Sequence, residues 1–520
     1  MAVLLAAGYY ILSVAVFILL YNASRRRQRL PPGPKGLPLI GNLFDVPNDY
    51  AWLRYKELGQ QYGSDIVHMQ ALGNHILVLN SMKAAVEILD KRADISSDRQ
   101  STMMLDELSG LGRAWTQLGH NDSWRIHRRL FHQHFRPSAI SQYHTKQTKA
   151  IHRMLSFLRE SPAQYMDHIR FMAGSMILDV VYTLDVQPGD YRIKLAEMVA
   201  HVSTEVFTAG VWMVDMIPML RHLPTWFPGA GFKIQAAKWK TTVDRSYDIP
   251  YEQFKASMHE GGGEPCLASA LLSSAEDVEE LERMDKVFSS LTGTAYIAGT
   301  DTTVSTLASF VLAMTIFPEA QLAAQAEIDR VLGGTRLPDI NDKANLPQVT
   351  AILYETLRWN PVLPLALPHR TTADTSYDGY YIPAGTVVLG NSWAILQDET
   401  LFPEPQLFKP ERYLNGDGSL NSSAHYPIET FGFGRRICPG RYFAQDAVWL
   451  AIAHILAVFK IERARDGDGK EIVPTPEFTA RIVRRVMSPI INSMPKPFEC
   501  KFKVRSPQAE SLIESAALGG

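Results

Sequence analysis

The chain has 520 residues, 46% of them hydrophobic and 20% charged, so there is enough apolar material to bury a sizeable core. The formal net charge is -2 with no long basic block inside the chain, which argues against nucleic acid as a partner, because phosphate binding needs a clustered positive field. Three widely spaced cysteines, Cys266, Cys438 and Cys500, argue against a disulfide framework, a four-cysteine zinc site or an iron–sulfur cluster and fit a reducing compartment.

Val3 to Leu20 is uncharged and apolar apart from Tyr9, Tyr10 and Ser13. As a helix it would span about 27 Å, close to a hydrocarbon core. Arg25, Arg26, Arg27 and Arg29 follow at once, so the positive-inside rule places the rest of the chain in the cytosol. A cleaved signal peptide fits less well, since no basic segment precedes the apolar run. Pro31, Pro32, Pro34 and Pro38 then make a stiff, non-helical strap. Asn22, Asn121 and Asn421 each open an Asn-x-Ser sequon, the last two on the cytosolic side of this topology.

Ile66 to Asn80 alternates as a β-hairpin around Gly73-Asn74. From about Met82 to Leu332 the pattern is mostly helical, broken at Leu223 to Gly229 and at Gly261-Gly262-Gly263. A long buried helix is predicted from about Asp285 to Phe317, stopped by Pro318. Further helices are predicted over about Gln321–Leu332 and Leu346–Asn360, then short strands around Gly379 to Val388. A last helix starts near Pro439. Strands and loops come after it over about Glu471–Val504, and the final fifteen residues read as disordered.

Phe431-Gly432-Phe433-Gly434-Arg435-Arg436-Ile437-Cys438-Pro439-Gly440 carries the most chemical information. Its glycines permit a tight loop against a flat group. Phe431 can shield a sulfur, and Arg436 can pair with a carboxylate. Pro439 suits a first helical turn, which puts Cys438 at a helix N-terminus where a thiolate is favoured. This stretch resembles the haem-binding loop of the cytochrome P450 family position for position. The resemblance extends over nearly the whole chain.

By that resemblance, Cys438 is the axial thiolate ligand of haem b, the arrangement for which P450s are the standard example of electron push toward O–O cleavage. Ala298-Gly299-Thr300-Asp301-Thr302-Thr303, on the long helix, is similar to the oxygen-activation motif, which implies that Thr302 and Asp301 deliver protons. Glu355 and Arg358, three residues apart on one helix face, resemble two members of the folding triad, with Arg412 as the third. Tyr413 stands where the family usually has Phe. Trp124 and Arg128, with His369, Arg436 and Phe431, are the implied haem contacts. His120, His127, His132 and His134 lie among arginines and are not read as a metal site.

The implied fold is mainly α, the cytochrome P450 fold with small β-sheets, preceded by one transmembrane helix. The expected organisation is an anchor over 1–24, a basic and Pro-rich hinge over 25–45, a haem-thiolate catalytic domain over 46–505 and a disordered tail over 506–520. A single catalytic unit overrides the length-based expectation of two to four domains, because the implied haem contacts run from Trp124 to Cys438. The implied reaction is R–H + O₂ + 2e⁻ + 2H⁺ → R–OH + H₂O. The rivals are a haem-thiolate isomerase or dehydratase that does not use O₂, and a non-catalytic haem-binding protein.

No flavin- or nicotinamide-binding segment is visible, so electrons are expected from NADPH–cytochrome P450 reductase, with cytochrome b5 as a second donor. Arg435, Arg441 and Lys409 offer a docking surface. The chain resembles fungal microsomal members, of the basidiomycete type linked to secondary metabolism and xenobiotic oxidation. That implies a single-pass protein of the endoplasmic reticulum membrane. The implied pocket segments are Met103–Trp115, Val206–Val214, Ala295 with Ala298, Val362–Leu367 and Pro489–Ile491. Their apolar composition predicts a small hydrophobic substrate of terpenoid, steroid or polycyclic aromatic type.

Overall fold

The computed structural model describes residues 29–47, 49–206, 212–259, 264–479 and 493–518. The expected anchor, Phe207 to Val211 and Pro489–Ile491 lie outside the described residues.

The strap packs through its backbone. Asn42 donates to Pro34 O and accepts from Gln70 N, both at 2.9 Å, and His68 N donates to Pro32 O. Gly33 is required here, since a Cβ would lie 1.9 Å from His68 O. Helix α1 (Ala51–Tyr62) leads into β1 (Ile66–Ala71) and β2 (Asn74–Leu79). Their two-residue turn is Leu72-Gly73, one residue earlier than predicted, with Ala71 paired to Asn74. Both turn residues have positive φ, which gives the twist that hairpins favour.

The helices α2 (Asp122–Phe135), α3 (His144–Glu160), α4 (Tyr165–Tyr182), α5 (Tyr191–Val206) and α6 (Gly231–His259) come next in the chain. Helix α7 (Val278–Ile316) starts seven residues before its predicted start, because Asp277 caps it by accepting from Glu280 N. It is the one helix among the described residues long and apolar enough to cross a membrane. Its apolar window is 72% buried inside the protein, so it is the core helix of the fold. Pro318 opens α8 (Pro318–Leu332), and α9 (Pro347–Trp359) lies beyond it.

The strands β3 (His369–Arg370), β4 (Thr375–Tyr377), β5 (Tyr380–Ile382) and β6 (Val387–Gly390) succeed α9. The largest sheet has the order β1-β2-β6-β3, with β6 parallel to β2 and antiparallel to β3. Helix α10 (Arg441–Val458) runs directly into β7 (Phe459–Arg465). β8 (Glu471–Ile472), β9 (Phe478–Thr479), β10 (Met494–Pro495) and β11 (Cys500–Val504) complete the small sheets.

The tail differs from the expectation of disorder over 506–520. Residues Pro507–Leu518 form helix α11. Ala509, Ile513 and Ala516 are buried, Leu512 packs beside them, and Arg159 pairs with Glu514 at 2.6 Å. The physical reason is an i, i+3, i+4, i+7 apolar stripe that docks on α3 and α10. The main core joins α2 to α10 around α7, and a separate apolar cluster lies between the sheet and α1.

Candidate active site

The cysteine loop is assembled by backbone contacts. Cys438 N donates to Phe431 O at 2.8 Å, closing the loop between two 3₁₀ turns, Ile428–Phe431 and Gly434–Arg436. Gly434 has φ +54, and a Cβ there would lie 2.0 Å from Leu89 O, so the close approach to the chain before it demands glycine. Arg128 on α2 donates to Ile437 O at 2.8 Å, and Arg441 donates to Cys438 O at 3.1 Å. Burial pushes the Cys438 thiol up, and the Gly440 N–H with the Arg128 and Arg441 guanidiniums only partly reverse this. The helix N-terminus therefore does not by itself make a thiolate here, since burial outweighs it. Coordination to a metal ion deprotonates a thiol outright.

Beside the loop sits a set of buried cations. Arg436 lies 4.4 Å over the Trp124 ring and donates to Ser97 O at 2.7 Å and Leu118 O at 2.8 Å. Its third nitrogen, Nη1, is buried with no protein partner. Arg99, which sequence reasoning missed, donates to Thr116 O, Leu367 O and Pro368 O. Its guanidinium is driven well below the usual arginine range by burial and then by Arg436, with Asp98 opposing. Arg436 is itself pushed down to about 10 by burial, Asp98 opposing and Arg128 adding to it. His369, 2% exposed, bonds through Nδ1 to Ser96 O at 2.9 Å. Burial, then Arg99 and Arg436, push it down to about 3, so it is neutral at neutral pH. These cations raise one another's electrostatic cost, and Asp98 is the carboxylate that acts on Arg99 and Arg436. The place fits a bound dianion such as the two propionates of a haem.

The threonine stretch lies within the unbroken core helix α7. Thr300, Thr302, Thr303 and Thr306 each turn their hydroxyl back onto the carbonyl four residues earlier, at 2.8 to 3.0 Å. Residues 303–315 are buried without a break, yet Ala298 is exposed and Ile297, Gly299, Asp301 and Thr302 are half-buried. The helix thus keeps accessible surface at this point, between the buried stretches 291–296 and 303–315. Asp301, the neighbour of Thr302, points about 100° around the helix from it. Its charge raises the carboxyl of Glu197 on α5, after burial as the main cause and with Arg170 opposing.

Glu355 and Arg358 form a pair with no exposed side-chain surface, Nε to Oε2 at 2.7 Å and Nη2 to Oε1 at 2.8 Å. Arg412 Nε reaches the same Glu355 Oε1 at 3.3 Å, and Lys409 N donates to it at 2.8 Å. Arg358 also donates to Leu396 O and Leu407 O. The three triad residues are therefore in direct contact, apart from the cysteine loop. Tyr413 is 2% exposed and its hydroxyl has no protein partner.

Trp124, Arg128, Arg436 and Cys438 are thus brought together with His369, while Asp301 and Thr302 stand on α7. Of the pocket segments, Leu365 and Ala366 are buried in clusters against the sheet, whereas Leu363 and Leu367 keep accessible surface. Arg435 is exposed, but Lys409 pairs with Glu404 and Arg441 lies over the Tyr442 ring.

Residues 31–487 match the cytochrome P450 family model. The chain belongs to the cytochrome P450 family. It is 39% identical over 504 residues to cytochrome P450 monooxygenase 98 of Postia placenta, covering 97% of this chain and 95% of the relative. A cytochrome P450 monooxygenase of Armillaria gallica is 40% identical over 489 residues, 93% of each chain. Tryptamine 4-monooxygenase of Psilocybe cyanescens is 38% identical over 501 residues, 95% of this chain and 96% of the relative. This P450 is a haem-thiolate monooxygenase with haem b as cofactor, and it works with a redox partner on a small hydrophobic substrate.

Proposed function

We propose that Cys438 is the axial ligand and that Trp124, Arg128, His369 and Arg436, with Arg99 added by the geometry, hold the haem carboxylates. The observation that carries this reading is the cluster of buried guanidiniums beside Cys438 in its glycine loop. Bound there, haem supplies the activation of O₂ for insertion of one oxygen atom into the substrate. Phe431 covers the loop that carries the sulfur. The Thr302 hydroxyl donates a proton at the accessible turn of α7, and the Asp301 carboxyl replenishes it from the side facing Glu197. Glu355, Arg358 and Arg412 fix the segment before the cysteine loop and take no part in the chemistry.

The electron donor in this reading is NADPH–cytochrome P450 reductase, with cytochrome b5 as a second donor. The protein is anchored in the endoplasmic reticulum membrane with the catalytic domain in the cytosol. Exposed Met213, Met219, Trp226 and Phe227 support a second membrane contact beside the anchor. Val362, Leu363 and Leu367 in the pocket segments support a neutral hydrophobic substrate of terpenoid, steroid or polycyclic aromatic type. The pathway context is secondary metabolism or xenobiotic oxidation.

The test is a substrate panel in microsomes with co-expressed reductase. NADPH-dependent oxygenation of a neutral hydrophobic member is expected, with little turnover of amines. Tryptamine belongs in that panel, because one relative carries it in its name. Preference for tryptamine with no turnover of any hydrophobic member overturns the substrate class. Turnover without NADPH favours the isomerase reading. Thr302→Ala is expected to keep the haem spectrum and to release more peroxide per NADPH consumed.

A further inference from the structure

Glu429 is 1% exposed and sits in the 3₁₀ turn Ile428–Phe431 that opens the cysteine loop. Its carbonyl is fixed twice, accepting from Ser392 Oγ at 2.8 Å and from Gly432 N at 3.1 Å. Two residues on, the Phe431 carbonyl accepts from Cys438 N at 2.8 Å. The turn therefore holds the backbone of the cysteine itself.

The Glu429 carboxylate is met on one side only. Its Oε1 lies 2.8 Å from His425 Nε2, and its Oε2 is buried with no protein partner. Among the described residues no lysine or arginine forms an ion pair with it. Arg358 and Arg412 belong to Glu355, Arg441 lies over the Tyr442 ring, and the short helix Ser392–Leu396 brings no charged side chain. Tyr413 and Tyr426 are the other titratable groups on which the Glu429 charge acts. Burial pushes both hydroxyls up. Glu355 and Glu429 add to this at Tyr413 against Arg358 and Arg412, and Tyr354, Glu429 and Tyr442 add to it at Tyr426 against Arg441. Both tyrosines therefore stay protonated, and His425 is the member of the group that titrates near neutral pH. Its side chain is 30% exposed, edge-on to the Phe402 ring at 5.7 Å, so its proton can reach solvent.

We propose that His425 is a positioning residue whose protonated ring neutralises Glu429 and so holds the Ile428–Phe431 turn, making the cysteine loop tighter in acid than in alkali. Its reach to the iron rests on the reading that Cys438 is the ligand. A carboxylate taken out of water needs a countercharge, and His425 is the cation that supplies it here. The hydrogen bond to Glu429 raises the ring above its ordinary value of 6.5, burial opposing. The hold is therefore full below 6.5 and is lost as pH rises through the folded value.

The test uses the full-length haem-loaded protein in lipid nanodiscs from about pH 6 to about pH 9. Two quantities are followed: protection of the Gly432 and Cys438 amides, corrected for the intrinsic pH dependence of exchange, and the rate at which the reduced carbon monoxide complex loses its red-shifted Soret band. In the native protein protection is expected to fall roughly 10-fold across this range, the effect of losing one charged hydrogen bond, and band loss to quicken with it. His425→Gln should show the weak protection at every pH. His425→Lys, a cation throughout the range, should keep the strong protection, and Glu429→Gln, with no charge to neutralise, should flatten the profile. The same pH dependence in Glu429→Gln as in the native protein overturns the proposal, as does a His425→Lys profile that still falls. Amides that respond as expected while band loss does not would support the hold on the turn and overturn its reach to the ligand. Retention of the band in Cys438→Ser would instead overturn the ligand reading, leaving the amides to report on the turn alone.

Discussion

Two groups of buried arginines in this P450 share residue type and burial but not electrostatic state. Arg358 has no exposed side chain, and its charge is met by the carboxylate of Glu355 and by the carbonyls of Leu396 and Leu407. Arg99 and Arg436 are met by carbonyls, with Asp98 as the carboxylate acting on them, and both are driven below the usual arginine range. The first group is complete as protein. The second, in the function proposed above, is completed by the carboxylates of the haem. A buried cation becomes evidence for a ligand when its countercharge is missing, and evidence for structure when it is present.

The largest expected effect lies in the complete group. Glu355→Ala strands Arg358 in the core and should cost about 3–5 kcal/mol in urea unfolding. Glu355→Leu combined with Arg358→Met should cost clearly less, since no charge is left unpaired. Equal losses in the two would break the comparison.

The incomplete group should respond in a different currency. Arg436→Met should change apoprotein stability by no more than about 2 kcal/mol while speeding haem loss to apomyoglobin roughly 10-fold. Haem dimethyl ester, which lacks free carboxylates, should show little difference between the native protein and this variant. If the ester is discriminated as strongly as free haem, the cations do not hold the carboxylates.

A pH profile sharpens the comparison further. His369 titrates at about 3 in the fold, below the ordinary histidine value of 6.5, because it is buried beside Arg99 and Arg436. As pH falls below 6.5 the unfolded chain takes up a proton that the folded chain refuses, so stability is lost toward acid. The slope is about 1.4 kcal/mol per pH unit for each such histidine. His454 and His68 are depressed by burial in the same way. His425 has the opposite sign, since the Glu429 carboxylate raises it, and its contribution is lost as pH rises through its folded value. His369→Gln should therefore remove one proton's worth of acid-side slope in unfolding measured between about pH 6 and 5. An unchanged slope would show that His369 is protonated in the fold.

The smallest effect is expected at Tyr413, where the family usually has Phe. Its hydroxyl is buried without a protein partner, so Tyr413→Phe should be neutral or stabilising by up to about 1 kcal/mol. A loss of more than that in thermal unfolding would mean that the hydroxyl is satisfied in solution.

The parts of this molecule readable in sequence were those whose signal is local. The glycine loop around Cys438, the Pro318 boundary of α7 and the i, i+3 pair Glu355–Arg358 are each written within a few neighbouring residues. Arg99 gave no such signal. It is a single arginine in a loop, and its meaning comes from Arg436, 337 positions away, and from the carbonyls of Leu367 and Pro368. The tail helix α11 is harder to read because two of its four stripe residues, Ala509 and Ala516, are alanines, whose weak hydrophobicity understates how well they dock. The implied pocket residues Phe207, Val211 and Ile490 fall outside the described residues.

The assignment of Cys438 as the iron ligand is tested most directly by the carbon monoxide difference spectrum of the reduced protein. The native protein and the Cys266→Ser and Cys500→Ser variants should all show the red-shifted Soret band of a thiolate-ligated haem. Cys438→Ser should lose it. Retention of that band in Cys438→Ser, with its loss in either of the other two variants, would contradict the assignment.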